Sequence, residues 1–333
     1  MEEYLLCGIA GIMLKHGEGV IGEIVIKMLK ELQHRGSDST GVAIYNDIGI
    51  SEKQYILTIV VPDIPGSEAS TSSIIADCNG NIHDIKLRTR DNIGFNEYLL
   101  TINEHSKLIK LLREFDKVDN ADVLSIGRRM KIFKDCLLVK EFDDFFNISS
   151  KIGTHAIGHV RFSTESVVNR YFAHPLFDTV YYDFAVVHNG QITNYYEWRQ
   201  KLKRAGFDFF TYNDSEVLIH YIVWRMMQGN SLEGALKNAI KDMDGPFSFI
   251  VSTPWAIGVA KDPLGLRPAL TMETDDFFAI ASEEGPLRSI SPESPIHYLA
   301  PGDVAVFEIP EIKNKLRQEY ERVSLPKTQI LTV

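Results

Sequence analysis

Cysteine is scarce in this chain of 333 residues: three in all, at positions 7, 78 and 136. Three widely separated thiols make neither a disulfide framework nor a zinc site, and no metal centre is expected. Positive charge is also short. Lys and Arg number 35 against 45 Asp and Glu, a formal net charge of −10. A nucleic-acid surface needs a dense basic stripe to neutralise phosphates, and this balance argues against one. No apolar run approaches the roughly 20 residues of a membrane-crossing helix. The first residues carry Glu2 and Glu3 where a secretory signal has positive charge. A cytoplasmic location is therefore the expectation. No repeat of about 20–50 residues is visible.

What is present suffices for a folded protein. Hydrophobic residues make up 44% of the chain, and the length suits about two domains. "CGIAGIML" from Cys7 reads as a buried strand. Val20, Ile21, Ile24, Val25, Met28, Leu29 and Leu32 recur at helical spacing and predict a helix with one apolar face. "TGVAIYND", "AIGHVRFST" and "FAVVHNG" read as strands. Helices are predicted near 195–206, 214–228 and 231–243, followed by strands at "FSFIVS", "AIGVAK", "ALTMET", "FFAIAS" and "VAVFEI". Strands and helices come in blocks, which predicts an α+β architecture of mostly antiparallel sheets with helix layers. The residues from Lys313 carry little pattern and are expected to form a surface tail.

Five separated segments carry chemistry: "CGIAGI" at 7, "QHRGSDSTG" at 33, "GHVRFST" at 158, "HNGQITN" at 188 and "NDSEV" at 213. "DGPFSFIV" at 244, "KDPLGLRPA" at 261 and "ASEEGPL" at 281 support them. In order and residue type they resemble the glutaminase domain of class II glutamine amidotransferases, which are N-terminal-nucleophile hydrolases. The resemblance covers about residues 7–47 and 153–307. It implies a four-layer αββα sandwich of antiparallel sheets and no cofactor in this chain.

The resemblance implies roles, and chemistry explains them. Amide hydrolysis needs a strong nucleophile, and a thiolate is one. An α-amino group titrates near ~8, so a terminal cysteine carries its own base. Cys7 can do so only after Met1–Leu6 are removed, so residues 1–6 are expected to be a propeptide cut at Leu6–Cys7. Methionine aminopeptidase alone could not do this. The alternative for Cys7 is a buried structural thiol. Asn189 and Gly190 are expected to hold the oxyanion. "NG" also reads as a hairpin turn joining two strands, and both can hold. Arg161 offers a fork for the substrate α-carboxylate. Asp214 is assigned the α-ammonium, or else caps its helix. The stretch "FSTESVVNRYFAHPLFD" after Arg161 would close over glutamine. Arg35 orients Cys7, or pairs with Asp38. "DPLGLRP" reads as a structural turn.

Residues 52–135 are too long and regular for a loop. Their strands and helices follow the order βαββαβ, a ferredoxin-like unit, with "VLSIGRRMKIF" as its last strand. "VPDIPGSEA" and "IIADCNGNI" resemble an ACT domain, a module that commonly binds amino acids, and point to Asp63, Gly66 and Asn81. An insertion used purely for subunit contact is the alternative. The glutaminase domain is thus expected at 7–51 and 136–312, with the tail at 313–333.

"HRGSDSTG", "GHVRFST" and "KDPLGLRPA" look similar to the phosphoribosyl-pyrophosphate amidotransferase and glutamate synthase branches. No phosphoribosyltransferase, sugar isomerase, ATP-pyrophosphatase loop or flavin barrel accompanies them. The ammonia acceptor is then expected on another chain, most simply a split glutamate synthase whose partner carries flavin and iron–sulfur clusters. The alternatives are a phosphoribosyl-pyrophosphate amidotransferase relative without its transferase domain, and an unprocessed amino-acid sensor. L-Glutamine, a synthase subunit and an amino-acid effector are the expected partners, in a homo- or hetero-oligomer.

Overall fold

The computed structural model describes residues 7–46, 50–162 and 169–309, together with Lys313, Leu316, Arg317 and Tyr320. The expected propeptide and residues 163–168 of the expected closing loop lie outside the described residues. The chain forms two units, one of Met1–Asn46 and Phe133–Val333, the other of Asp47–Ile132.

Along the chain, β1 (Gly8–Leu14), α1 (Ile21–Leu32) and β2 (Ser39–Tyr45) are followed by β3 (Gln54–Pro62), α2 (Ser67–Asp77), β4 (Asn81–Arg90), β5 (Ile93–Thr101), α3 (His105–Phe115) and β6 (Asp122–Gly127). Then come β7 (Met130–Asp135), α4 (Val139–Phe146), β8 (His155–Arg161), β9 (Leu176–Phe177), β10 (Ala185–Gly190), α5 (Tyr195–Arg204), α6 (Asp214–Met227) and α7 (Leu232–Asp242). The last elements are β11 (Phe247–Thr253), β12 (Ala256–Lys261), β13 (Leu270–Glu273), β14 (Phe277–Ala281), α8 (Glu284–Ile290), β15 (Ile296–Tyr298) and β16 (Val304–Glu308).

The first unit is a sandwich. One sheet has seven strands in the order β15-β13-β14-β1-β8-β2-β7, and the other has five, β16-β12-β11-β10-β9. β1 lies antiparallel between β14 and β8, and β10 lies antiparallel between β11 and β9. β1 and β8 face β10 and β11 across the interior, while α1 and α8 cover one outer face and α6 and α7 the other. This is the four-layer αββα arrangement. The apolar stripe of α1 explains its place: Ile21, Val25, Met28, Leu29 and Leu32 are all fully buried, about 3.6 residues apart, so one face meets the sheet.

Strand parity decides which side chains meet inside. Side chains alternate between the faces of a strand. A Cβ on Gly11 of β1 would touch Ile250 of β11 at 3.5 Å, whereas one on Gly158 of β8 would meet Leu29 of α1 at 2.9 Å. Odd-numbered residues of β1 and β8 therefore face the second sheet. Cys7, one residue before β1, shares that parity, and so does Arg161.

The second unit has the sheet order β4-β5-β3-β6, and its pairings β3–β5, β3–β6 and β4–β5 are antiparallel. With the chain order βαββαβ this is the ferredoxin-like topology. One expectation changes. "VLSIGRRMKIF" is two strands, because the chain breaks off at Arg128–Arg129 and β7 joins the seven-stranded sheet. The tail also differs from a bare surface segment: Leu316 and Tyr320 are buried, and the Tyr320 hydroxyl donates to the Asp183 carboxylate.

Candidate active site

The site lies at one end of the sandwich. Gly8 pairs with Val160, which puts Cys7 beside Arg161 at the end of β8. The Cys7 thiol donates to the Phe162 carbonyl at 3.5 Å. Burial raises the thiol pKa above its ordinary value; the charges of Arg161, Arg35 and Arg267 oppose the rise without cancelling it. Three guanidinium groups thus favour the thiolate at this one sulfur.

Arg35 donates its Nε to the Cys7 carbonyl at 3.0 Å. Its other arm pairs with Glu283 rather than with Asp38. Glu283 also takes His34 Nε2 at 3.1 Å. Glu283 stands between β14, the neighbour of β1, and α8, so it clamps Arg35 against the start of β1.

β10 carries Asn189 and Gly190, the expected oxyanion donors. His188 points outward to α6, where its Nδ1 lies 2.9 Å from the Ser215 hydroxyl. Asn189, of opposite parity, faces the interior and the sheet that carries Cys7. The two sheets are tied here by His159, whose Nε2 lies 3.0 Å from the His188 carbonyl. The amide Nδ2 of Asn189 is buried and has no hydrogen-bond partner among the described residues. A buried unsatisfied donor costs free energy unless something is meant to accept from it.

Gly190 has φ +129°, and a Cβ there would come within 2.0 Å of the Pro246 carbonyl oxygen. Glycine is required by both conformation and space. The hairpin expectation is corrected at this point. β10 pairs with β11, but α5, α6 and α7 lie between them in the chain. "NG" is the end of a strand, not a two-residue turn.

Asp214 is the first residue of α6. The cap is not Asp214 but Asn213, whose side chain accepts from the Ser215 amide at 2.9 Å. Asp214 is thereby released from capping. Its Oδ2 accepts from the Ile192 amide at 2.9 Å, and His188 Nδ1 lies 3.6 Å from its Oδ1. Burial works to raise the carboxyl pKa. His188, the Ile192 amide and Ser215 outweigh it and hold the group below its ordinary value.

Sequence reasoning missed His159, His188, Ser215, Arg267 and Glu283. His188 and Ser215 adjoin residues already singled out, which was the available signal. Arg267 stands in a turn read as structural. The turn is indeed built on a buried anchor, since Asp262 accepts from the amides of Leu264 at 2.9 Å and Arg267 at 3.3 Å. What it presents is a cation for Cys7.

In the second unit, Asp63 and Gly66 share the turn after β3, with Gly66 at φ +93° before α2. Asn81 does not join them. Asn81 pairs with Thr101, and Thr101 with Gln54 at the start of β3. The length of β3, roughly 25 Å at ~3.3 Å per residue, separates Asn81 from Asp63, so the three residues do not form one site within the unit. The crossover helix α2 returns the chain to the other end of the sheet.

Residues 159–289 match the glutamine amidotransferase domain family. A protein of Methanothermobacter thermautotrophicus named as a glutamine amidotransferase is 43% identical over 305 residues, 91% of this chain and 100% of that protein. The glutamine amidotransferase-like protein GlxB of Rhizobium meliloti is 31% identical over 84% of this chain and 89% of its own length. The solved structure of glutamine phosphoribosylpyrophosphate amidotransferase from B. subtilis with ADP and GMP shares the fold: TM-score 0.57, 22% identity, 91% of this chain and 47% of that one. The sandwich is that of the N-terminal-nucleophile hydrolases. Within that class, this chain belongs to the class II glutamine amidotransferases.

Proposed function

We propose that the chain hydrolyses L-glutamine to glutamate and ammonia through a thioester on Cys7, and passes the ammonia to a separate synthase chain. Once Met1–Leu6 are cut away, the Cys7 α-amine takes the thiol proton and the sulfur attacks the carboxamide carbon. Asn189 Nδ2 and the Gly190 amide receive the oxyanion. Collapse of the tetrahedral intermediate, with the proton returned from the α-ammonium, expels ammonia and leaves a γ-glutamyl thioester. Water, deprotonated by the same amine, releases glutamate. Arg161 takes the substrate α-carboxylate and Asp214 its α-ammonium.

The observation that carries this reading is the buried, unpartnered Asn189 amide on the strand face turned toward the Cys7 sheet. The test is the intact mass of the purified protein, with glutamine hydrolysis on the same sample. Loss of residues 1–6 together with glutamate formation is expected. Full activity with all six residues attached would overturn the role of the terminal amine.

A split glutamate synthase is the proposed setting, in the cytoplasm. The ammonia acceptor is proposed to lie on a partner chain. That partner would carry flavin and iron–sulfur clusters. Glutamine-dependent conversion of 2-oxoglutarate to glutamate on adding the partner is the expected result; ammonia released without any such coupling counts against it. The ferredoxin-like unit is proposed to act as an ACT-like sensor, an amino acid binding at the Asp63–Gly66 turn. A panel of amino acids should then include at least one that raises the melting temperature.

A further inference from the structure

Ser215, the second residue of α6, is fully buried. Its hydroxyl has three polar neighbours: His174 Nε2 at 2.8 Å, His188 Nδ1 at 2.9 Å and Asp214 Oδ1 at 3.2 Å. A hydroxyl has one proton to give and two lone pairs to receive with, and an ionised carboxylate can only accept. The Ser215 proton therefore goes to Asp214. The two lone pairs receive the N–H of His174 Nε2 and of His188 Nδ1. This assignment leaves His174 Nδ1 and His188 Nε2 without protons when the rings are neutral. Those are the two ring nitrogens that are buried and have no partner among the described residues. The proton count closes without strain.

The consequence is directional. Two N–H dipoles load the Ser215 oxygen, and the hydroxyl passes that polarisation to Asp214 Oδ1. Asp214 Oδ2 is held independently by the Ile192 amide at 2.9 Å. Each carboxylate oxygen keeps a lone pair for a ligand, while the group as a whole cannot rotate without breaking one of its two ties. Ordering of this kind before binding is where an ion-pair site gains selectivity, because the ligand then meets a charge already aimed.

Resting on the proposed role of Asp214, we infer that Ser215, backed by His174 and His188, is the positioning residue for that carboxylate, and that it sets the preference for an amide bearing an α-ammonium over the same amide without one. The chain of contacts reaches the oxyanion strand too, since His188 immediately precedes Asn189 and its carbonyl is held by His159.

The experiment compares kcat/KM of the mature protein for L-glutamine and for 4-carbamoylbutanoate, which is glutamine without its α-amino group. Wild type, Ser215→Ala and Asp214→Asn are measured side by side. Ser215→Ala is expected to shrink the ratio of the two kcat/KM values about tenfold, chiefly through KM for glutamine, as befits a lost hydrogen bond to a charged group. A variant that merely loosens the fold lowers both substrates together. An unchanged ratio in Ser215→Ala, with Asp214→Asn collapsing it, overturns the inference and leaves Asp214 in place. An unchanged ratio in Asp214→Asn removes the reading of Asp214 itself. If alanine at 215 does not fold, Ser215→Cys replaces it, being close in size and a weak hydrogen-bonding group; the same ratio decides.

Discussion

At the scale of single residues, the site is an arrangement of charges around one sulfur. Burial holds the Cys7 thiol above its ordinary pKa, and the nearby Arg161, Arg35 and Arg267 reduce that penalty without cancelling it. Replacing Arg267 by Gln should raise the thiol pKa and slow alkylation by iodoacetamide near neutral pH several-fold; an unchanged rate would show that this charge does not govern the sulfur. Asn189→Ala should lower kcat by about a hundredfold, the usual scale for one oxyanion donor, with KM for glutamine little changed. A rise in KM at constant kcat would instead make Asn189 a ground-state contact. "HNG" already suggested this donor in the sequence. Arg267 was not visible in that way, because nothing in "DPLGLRP" distinguishes a turn residue from a cation near a thiol that lies far earlier in the chain; only the packing of the sheets brings the two together.

At the scale of elements, parity and capping do the positioning. The alternation of β1, β8 and β10 turns Cys7, Arg161 and Asn189 toward one interior and His188 away from it. The start of α6 decides between the two readings of Asp214: Asn213 caps, which leaves Asp214 available for the proposed α-ammonium. Asn213→Ala should cost about 1 kcal/mol of stability, as cap losses do, and raise KM for glutamine a few-fold because Asp214 and Ser215 sit on the loosened turn. Denaturant midpoint and steady-state kinetics measure the two effects, and a stability loss with KM unmoved would separate the cap from the site. The periodicity of α1 and the strands was readable because burial on one face imposes it. The split of "VLSIGRRMKIF" into β6 and β7 was not, since two strands of one apolar run differ only in which sheet each one joins.

At the scale of the whole molecule, buried histidines tie stability to pH. Burial drives His155 and His159 down to about 3 and His174 well below its ordinary value. In the unfolded chain these rings take up protons below about 6.5. The unfolded state then binds more protons than the native one, so stability falls as pH drops from ~6.5 toward ~3, on the order of 1 kcal/mol per ring per pH unit. His220 works the other way. Asp178 and Glu216 overcome its burial and raise its pKa, so its contribution is present at low pH and is lost as pH rises through its folded value. Three rings against one predict a net loss on acidification. The urea midpoint should fall clearly between pH 7 and pH 5; a flat midpoint would mean that these rings are not held neutral.

The sequence by itself determined the residue types and their local geometry. It held a thiol at the head of a strand, a glycine after an asparagine at a strand's end, an aspartate at the mouth of an apolar helix, and a βαββαβ order in the inserted segment. These are local because they follow from side-chain period and backbone freedom over a few residues. Tertiary structure decided which of them meet. Glu283 reaches Arg35 across 248 positions, Ser215 gathers His174 and His188 from two other segments, and Asn81 is carried to the far end of its sheet from Asp63. Such pairings depend on strand register and on how two sheets face each other, and both are fixed only when the whole core packs.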